Sequence, residues 1–382
     1  MVKLVRAGSS YRDVARRLRV GLATVTLWVK RARGRPLDRV DWRDRSDRPH
    51  RVPLRTCDAI VSKIAKARRH LSKHDALGEH GAEAIRRHLL AAGVAVPSSR
   101  TIARWLAKLG LSGRERWRRP PPPKGWYLPD LAAGRAEVDC LDVVEGLRLR
   151  RSGRVKVLNV ISLWGNRPDS RAAPAIRTEQ VIAMLRKRWR RDGLPTYVQF
   201  DNDTIFTGAH SKRDVLGRVV HFCLCAGVTP VFAVPLEPGF QAIIEAYNRR
   251  WQDRVWKRWR HRSIPALQCR SDAFVSAWWC AKAARSGEHA ALRSPWREPA
   301  RQLRTHRIVM LRRLDDRGAV TLCAQRMHIT KRWAGRLVRC EINVKTQTVT
   351  VFGLTRRDPR TQPTLTKRAL HVRLVPWFKA PE

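Results

Sequence analysis

The sequence predicts a multidomain chain: all-α units at the N-terminal end, an α/β core in the middle and a small β-barrel module at the C-terminal end. Three observations predict this order. Apolar residues recur at helical spacing up to Leu111, Val- and Ile-rich runs alternate with amphipathic stretches between Arg135 and Ser286, and strict alternation takes over around Val338. The 382 residues suffice for two to four domains at ~100–200 residues each, and 43% hydrophobic residues are enough to bury real cores.

Charge narrows the partner. Lys and Arg number 79 against 32 Asp and Glu, a net charge of +47. Such a chain repels itself unless a polyanion is at hand, and nucleic acid fits because each neutralised phosphate releases counterions. The eight cysteines show no C-x-x-C spacing; Cys223 and Cys225 form only C-x-C, so reduced structural thiols are expected rather than zinc or redox chemistry. No run reaches the ~18 apolar residues of a membrane span and no secretory leader is visible, so a soluble, cytoplasmic, nucleoid-associated protein is expected.

The elements follow in order. Residues 1–33 read as a helix-turn-helix unit. Ser10-x-x-Asp13 opens one short helix with Val14, Ala15 and Leu18 on its apolar face. Val20-Gly21 turns the chain, and Val25, Trp28 and Val29 repeat on a second helix that would offer Leu22, Ala23, Thr26 and Lys30 to DNA; an ordinary helical hairpin is the alternative. Residues 34–55 are a basic linker. Residues 56–113 read as a second helical DNA-binding unit, its third helix capped at Pro97-Ser98-Ser99, with Ile102, Trp105, Leu106 and Leu109 inward and Arg100, Arg104 and Lys108 in a stripe on the other face. Residues 114–134 are a basic linker stiffened by Pro120–Pro123.

Residues 135–290 form the α/β core. Ala136–Val144, Val155–Leu163, Thr196–Phe200 and Val231–Val234 read as strands; Thr178–Arg191, Val215–Cys225 and Phe240–Trp259 read as helices. Residues 306–376 read as the small barrel, with a hairpin of Val338, Cys340, Ile342 and Val344, then Val349 and Val351, around Lys345-Thr346-Gln347.

In so basic a chain, carboxylates on apolar elements need a reason. Asp139 lies between Val138 and Cys140, Asp201 ends the strand Tyr197–Phe200, and Glu245 sits on the last core helix. On that helix Gln241, Glu245, Asn248 and Gln252 share a face, while Ile244, Tyr247 and Trp251 turn inward. A buried unpaired charge costs several kcal/mol, which a divalent cation removes, and hard carboxylate oxygens suit Mg²⁺. Asp142, three residues after Asp139 and on the opposite side of the strand, is its rival; Asp139 is preferred.

The order of these motifs resembles the catalytic core shared by retroviral integrases and bacterial insertion-sequence transposases of the DDE type. Glu137-Val138-Asp139-Cys140 is similar to the first motif, Phe200-Asp201-Asn202-Asp203 with Phe206 to the second, and Pro235 to Pro238-Gly239 followed by Glu245-Ala246-Tyr247-Asn248 to the third. The resemblance implies a ribonuclease-H-like core. It also implies a transposase that binds an element's terminal inverted repeats and performs metal-dependent cleavage and strand transfer into target DNA. Asp139, Asp201 and Glu245 would be catalytic and would hold two Mg²⁺ or Mn²⁺ ions. Asn248 and Arg249 would touch double-stranded DNA, and a homo-oligomer would form on the DNA ends. The stretch between Asp201 and Glu245 is longer than is common in the family, and the surplus falls in Gly208–Arg218; Asp203 stands where a glycine is usual. The alternative is a DNA-binding regulator, or a domesticated or inactive transposase, that does not cut.

Overall fold

The computed structural model describes the whole chain except residues 45–55, 113–123, 151–152, 209–213, 236, 238, 356–360 and 379–382. The second half of the basic linker at 34–55, the prolines at 120–123, and His210 and Lys212 of the expected insertion therefore lie outside the described residues.

Two compact units emerge, Met1–Cys57 and Asp58–Glu382. The first holds α1 (Val2–Arg6), α2 (Tyr11–Leu18) and α3 (Leu22–Ala32). The Ser10 hydroxyl accepts the Asp13 N–H at 3.2 Å, the local cap that the sequence predicts. Arg19 takes the left-handed conformation between α2 and α3, so the helices meet across a tight turn. Val14 and Val25 are fully buried, and Val2, Ala32 and Val40 close the small core.

The second unit opens with three helices: α4 (Asp58–His74), α5 (Ala82–Ala91) and α6 (Ser99–Lys108). Ile64, Ile85 and Ile102, one from each helix, are fully buried against one another. Ser98 caps α6 through the Thr101 N–H. Trp105, expected inward, is only half-buried beneath Lys108, and Leu109 is exposed because α6 has already ended. After a short helix, α7 (Pro129–Ala132), the core begins.

Among the described residues the core is built on one sheet of nine strands. β1 (Val138–Leu149), β2 (Gly153–Ser162) and β3 (Pro168–Ala173) form an antiparallel meander. α8 (Thr178–Asp192) crosses to β4 (Tyr197–Phe200), parallel to β1. α9 (Thr204–Thr207), β5 (Val215–Leu216) and α10 (Arg218–Ala226) lead to β6 (Thr229–Phe232), parallel to β4. α11 (Ala242–Trp251) runs into one π turn, Gln252–Trp256, and α12 (Ile264–Ala281) follows. The long helix expected over Phe240–Trp259 is thus shorter and ends in a wide turn.

The C-terminal strands overturn the expected barrel. β7 (Arg307–Arg313) pairs parallel with β6, and β8 (Ala319–Leu322) and β9 (Gln325–His328) make a side hairpin. β10 (Leu337–Asn343), β11 (Thr348–Gly353) and β12 (Thr364–Ala369) then extend the same sheet, giving the order β12-β11-β10-β7-β6-β4-β1-β2-β3. The hairpin read around Lys345–Gln347 is present as β10–β11. Its apolar face buries by lengthening the core sheet, so no separate closed module forms among the described strands. β13 (Arg373–Leu374) pairs with β5, and Arg373 forms an ion pair with Asp214 at 2.8 Å. The C-terminal end thereby pins one base of the surplus loop, whose two ends meet where Gly208 packs directly on Gly217.

The linker expected at 114–134 also ends early. Trp126, Tyr127, Leu128 and Leu131 are buried against the sheet, and the Tyr127 carbonyl accepts from Arg339 at 3.1 Å. A run this apolar seals a sheet face that would otherwise be wet.

Hydrogen bonds tie the turn after α4 to the core. Arg254 and Arg258, at and just after the π turn, donate to the carbonyls of Ser72, Lys73, Asp75 and Gly78 at 3.1–3.4 Å. Ser72 and Lys73 are in the last turn of α4, whose carbonyls lack helical partners, Asp75 and Gly78 follow in the turn after it, and Lys282 adds an ion pair to Glu79 at 3.0 Å. All eight cysteines are free thiols. Among the described residues no helix is long and apolar enough to cross a membrane.

Candidate active site on two faces of one strand

Side chains alternate across a strand, so Asp139 and Asp142 of β1 project from opposite faces of the sheet. Their surroundings differ completely. Asp139 is fully buried beneath α8. Its carboxylate accepts from Arg188 Nε at 3.0 Å, Arg188 Nη2 at 2.9 Å, Trp189 Nε1 at 2.9 Å and Arg293 Nη2 at 2.5 Å. Burial alone would raise its pKa; the Arg188 and Arg293 guanidinia overcome that and hold the carboxyl well below the usual range. Arg188 is itself buried and also pairs with Asp169 and Asp192. Every lone pair that a metal would need is already taken by a donor. The expectation that Asp139 is a metal-holding residue is therefore corrected: it is one end of a closed ion-pair network.

Asp142 is half-buried on the other face. Its oxygens accept the Val143 N–H at 2.8 Å and the Asn248 side-chain N–H at 2.6 Å. Burial first, then the neighbouring Asp201 charge and more weakly that of Glu245, push its pKa up to about 6. The parallel register pairs Cys140 with Gln199, and two further residues along bring Asp142 opposite Asp201, ~5 Å away across the strands. Asp201 accepts the Asp203 N–H at 3.0 Å in a turn. Burial, followed by the charges of Asp203 and Glu145, raises its pKa as well. Asp203 in turn caps α9 through the Ile205 N–H at 3.0 Å, and Phe206 stacks on Phe200 at 4.8 Å.

Glu245 lies on the exposed face of the first turn of α11, and Ile244, Tyr247 and Trp251 are buried as the helical spacing predicts. Asn248 departs from its expected role as a DNA contact. It is buried at 7% exposure and bridges Asp142 and Asn159, the latter donating at 2.7 Å. Arg249 is exposed, as are Leu22, Ala23, Thr26 and Lys30 on α3 and Arg100, Arg104 and Lys108 on α6.

Among the described residues, no Lys or Arg pairs with Asp142, Asp201 or Glu245. In a chain of net charge +47, three acids left without a cation mark a site with an unmet need for positive charge. The donor set of hard carboxylate oxygens, free of Cys and His, fits Mg²⁺ or Mn²⁺. Among the described residues no three acidic, His or Cys side chains yet close around a point as a metal cage.

Parity and α8 together were the signal for Asp142. The buried stripe of α8 is Val181, Ile182, Leu185, Arg188 and Trp189. An arginine on an apolar stripe demands a buried acid, and Asp139 is the acid on that face.

No protein-family model matches the chain, and no curated protein matches its sequence. Among solved structures, the chain is similar to one from the cryo-electron-microscopy structure of the simian T-cell lymphotropic virus intasome in complex with the PP2A regulatory subunit B56 gamma. The identity is 12%, over 76% of this chain and 96% of that one, with a TM-score of 0.35. It is also similar to the catalytic core domain of BIV integrase, at 18% identity over 37% of this chain and 80% of that one, with a TM-score of 0.27.

Proposed function

We propose that the chain is a DDE-type DNA transposase whose acids are Asp142, Asp201 and Glu245. The observation that carries this reading is the cluster itself: three carboxylates without cation partners at one end of a mixed sheet, in a chain otherwise saturated with arginine. Asp142 takes the place that the sequence assigned to Asp139.

The residues divide the labour. Asn248 and the Val143 N–H orient Asp142, and above a pH of about 6 they hold it as a carboxylate. The turn at Asp203 fixes Asp201 at the end of β4. α11 sets Glu245 one turn before Asn248, so the helix that positions Asp142 also presents the third acid. Two Mg²⁺ or Mn²⁺ ions held by these acids would supply Lewis-acid stabilisation of the attacking and leaving oxygens of a phosphodiester. The exposed face of α3 and the basic stripe of α6 would bind terminal inverted repeats, their cations neutralising phosphates. Arg249 would steady the backbone near the acids. Joining two ends to target DNA would call for a homo-oligomer on the DNA.

The test is a cleavage and joining assay with the full chain, supercoiled plasmid and Mg²⁺ or Mn²⁺, together with oligonucleotides matching the DNA that flanks the coding region. The wild type is expected to nick and join. Asp142→Asn, Asp201→Asn and Glu245→Gln are expected to bind DNA and not cut it. DNA bound by the wild type but never cut with either metal would overturn the transposase reading in favour of a regulator.

A further inference from the structure

The ladder between β4 and β6 ends at the pair Phe200 and Phe232. The Ala233 N–H adds one more bond, to the Phe200 carbonyl at 3.0 Å. Asp201 stands just beyond it, and from there side chains take over from the backbone. The Asn202 amide donates to the Ala233 carbonyl at 2.8 Å, and its oxygen accepts Arg312 Nη2 at 3.0 Å. Arg312 Nη1 donates to the same Ala233 carbonyl at 3.3 Å and to the Leu311 carbonyl at 2.8 Å. The parallel neighbours β4, β6 and β7 are thus stitched together at the edge where Asp201 stands.

Arg312 is a costly residue for that place. It is half-buried between the buried Leu311 and the short run to Leu314. Burial pulls its pKa down, and among the described residues no carboxylate pairs with it. An apolar chain of the same length would avoid the desolvation. The guanidinium fork does what such a chain cannot: its two ends reach a backbone carbonyl and the Asn202 oxygen together, a span that the point charge of a lysine does not reproduce. On its other side the turn is held by Asp203, whose N–H bonds Asp201 at 3.0 Å and whose carboxylate caps α9. Asp201 is therefore gripped from both neighbours, at Asn202 by Arg312 and at Asp203 by α9.

We propose that Arg312 is a positioning residue for Asp201: its guanidinium, carried on β7, locks Asn202 and so fixes where the Asp201 carboxylate stands to hold a divalent cation. A strand that the sequence assigned to a separate C-terminal module then belongs to the active site. The inference rests on the reading of Asp201 as a metal-holding acid and adds to it a residue from outside 135–290.

The experiment uses the full chain with Arg312→Met, which keeps the length and loses the fork, and Asn202→Ala, which removes the other half of the link. Hydrogen exchange is followed by mass spectrometry without metal, and Mn²⁺ affinity by titration calorimetry. Both variants are expected to speed exchange over residues 200–207 about 10-fold and to leave residues 307–313 unchanged. Both are expected to weaken Mn²⁺ binding about 10-fold and to lower kcat for cutting with KM for DNA unchanged. Arg312→Lys should behave like Arg312→Met, and the double variant Arg312→Met with Asn202→Ala should be no worse than the worse single. The melting temperature of Arg312→Met should not fall, because a half-buried charge without a counter-ion has been removed. Exchange that rises equally over 307–313, or a melting loss in step with the loss of Mn²⁺ affinity, would make Arg312 a merely structural residue and overturn the proposal. Should Arg312→Met fail to fold, Asn202→Ala in its half-buried turn carries the same expectations. A wild type that cuts, with both variants keeping its protection and Mn²⁺ affinity, overturns the role of Arg312 alone. Protection that depends on Arg312 in a wild type that binds no Mn²⁺ overturns the metal-holding reading of Asp201 and leaves only the clamp.

Discussion

Replacing Asp139 with Asn separates a structural acid from a catalytic one. The carboxylate accepts four hydrogen bonds from Arg188, Trp189 and Arg293, all within 2.5–3.0 Å, and is fully buried. An amide keeps a single acceptor oxygen, turns two N–H donors toward guanidinium donors and removes the charge. Breaking a buried pair by removing one partner costs about 3–5 kcal/mol. Arg188 retains Asp169 and Asp192, which places the expected loss at the lower end, about 3 kcal/mol. The melting temperature should fall by roughly 5–10 °C, read by circular dichroism across a pH series. The sign of the pH dependence follows from the depressed folded pKa of Asp139. Its stabilisation is present above the unfolded value of about 4 and fades as pH falls toward the folded one. The gap between wild type and variant should therefore be constant from about pH 5 to 8 and narrow below about pH 4. A variant that melts like the wild type yet no longer cuts DNA would refute the reasoning and return Asp139 to the catalytic set.

The remaining predictions use the other face and the helical units. Asp142→Asn should abolish cutting with no loss of stability at pH 7, because it relieves repulsion from Asp201 and Glu245; an equal loss in thermal melts would contradict that. Asp142 has a raised folded pKa of about 6, so the stability it contributes is full below about pH 4 and lost as pH rises through about 6; the wild type should gain melting temperature relative to Asp142→Asn as pH drops from 7 to 5. Mn²⁺ affinity, followed by titration calorimetry, should weaken as pH falls below about 6, where protons compete for that carboxylate. Gly78 has φ +73°, and an added Cβ would stand 2.0 Å from the Arg254 guanidinium. Gly78→Ala should cost about 1–2 kcal/mol and speed hydrogen exchange over residues 72–80. Each of Arg100→Ala, Arg104→Ala and Lys108→Ala should reduce the salt slope of DNA binding by about 1; an unchanged slope for all three would remove α6 from the interface.

Local chemistry was legible, and distant pairing was not. The Ser10 and Ser98 caps, α8, the hairpin at Lys345–Gln347 and the buried face of α11 all follow from periodicity and capping within a few residues. The destination of that hairpin depends on Val231 and Phe232 pairing with Val309 and Met310, strands far apart in sequence whose apolar alternation would suit a separate barrel equally well. Asp201 and Glu245 were legible because each sits where a regular element places it. Asp139 and Asp142 flank the same apolar residues, and only their partners across the fold, Arg188 for one and Asn248 for the other, tell them apart. Asn248 itself was read as outward because its neighbours on the helical wheel are polar, whereas Asp142 and Asn159 supply a polar interior for it.

The grip of Arg254, Arg258 and Lys282 on the turn after α4 has a geometric corollary. If α6 reads a groove while Asp142 and its companions meet a phosphate, the two stations belong to one rigid gauge, set when the chain folds. Along a duplex such a gauge tolerates whole helical turns poorly and half turns not at all, since ~5 base pairs rotate the scissile strand to the far side. The site of breakage is then measured out by protein architecture, with no need to read a single base where the strand opens.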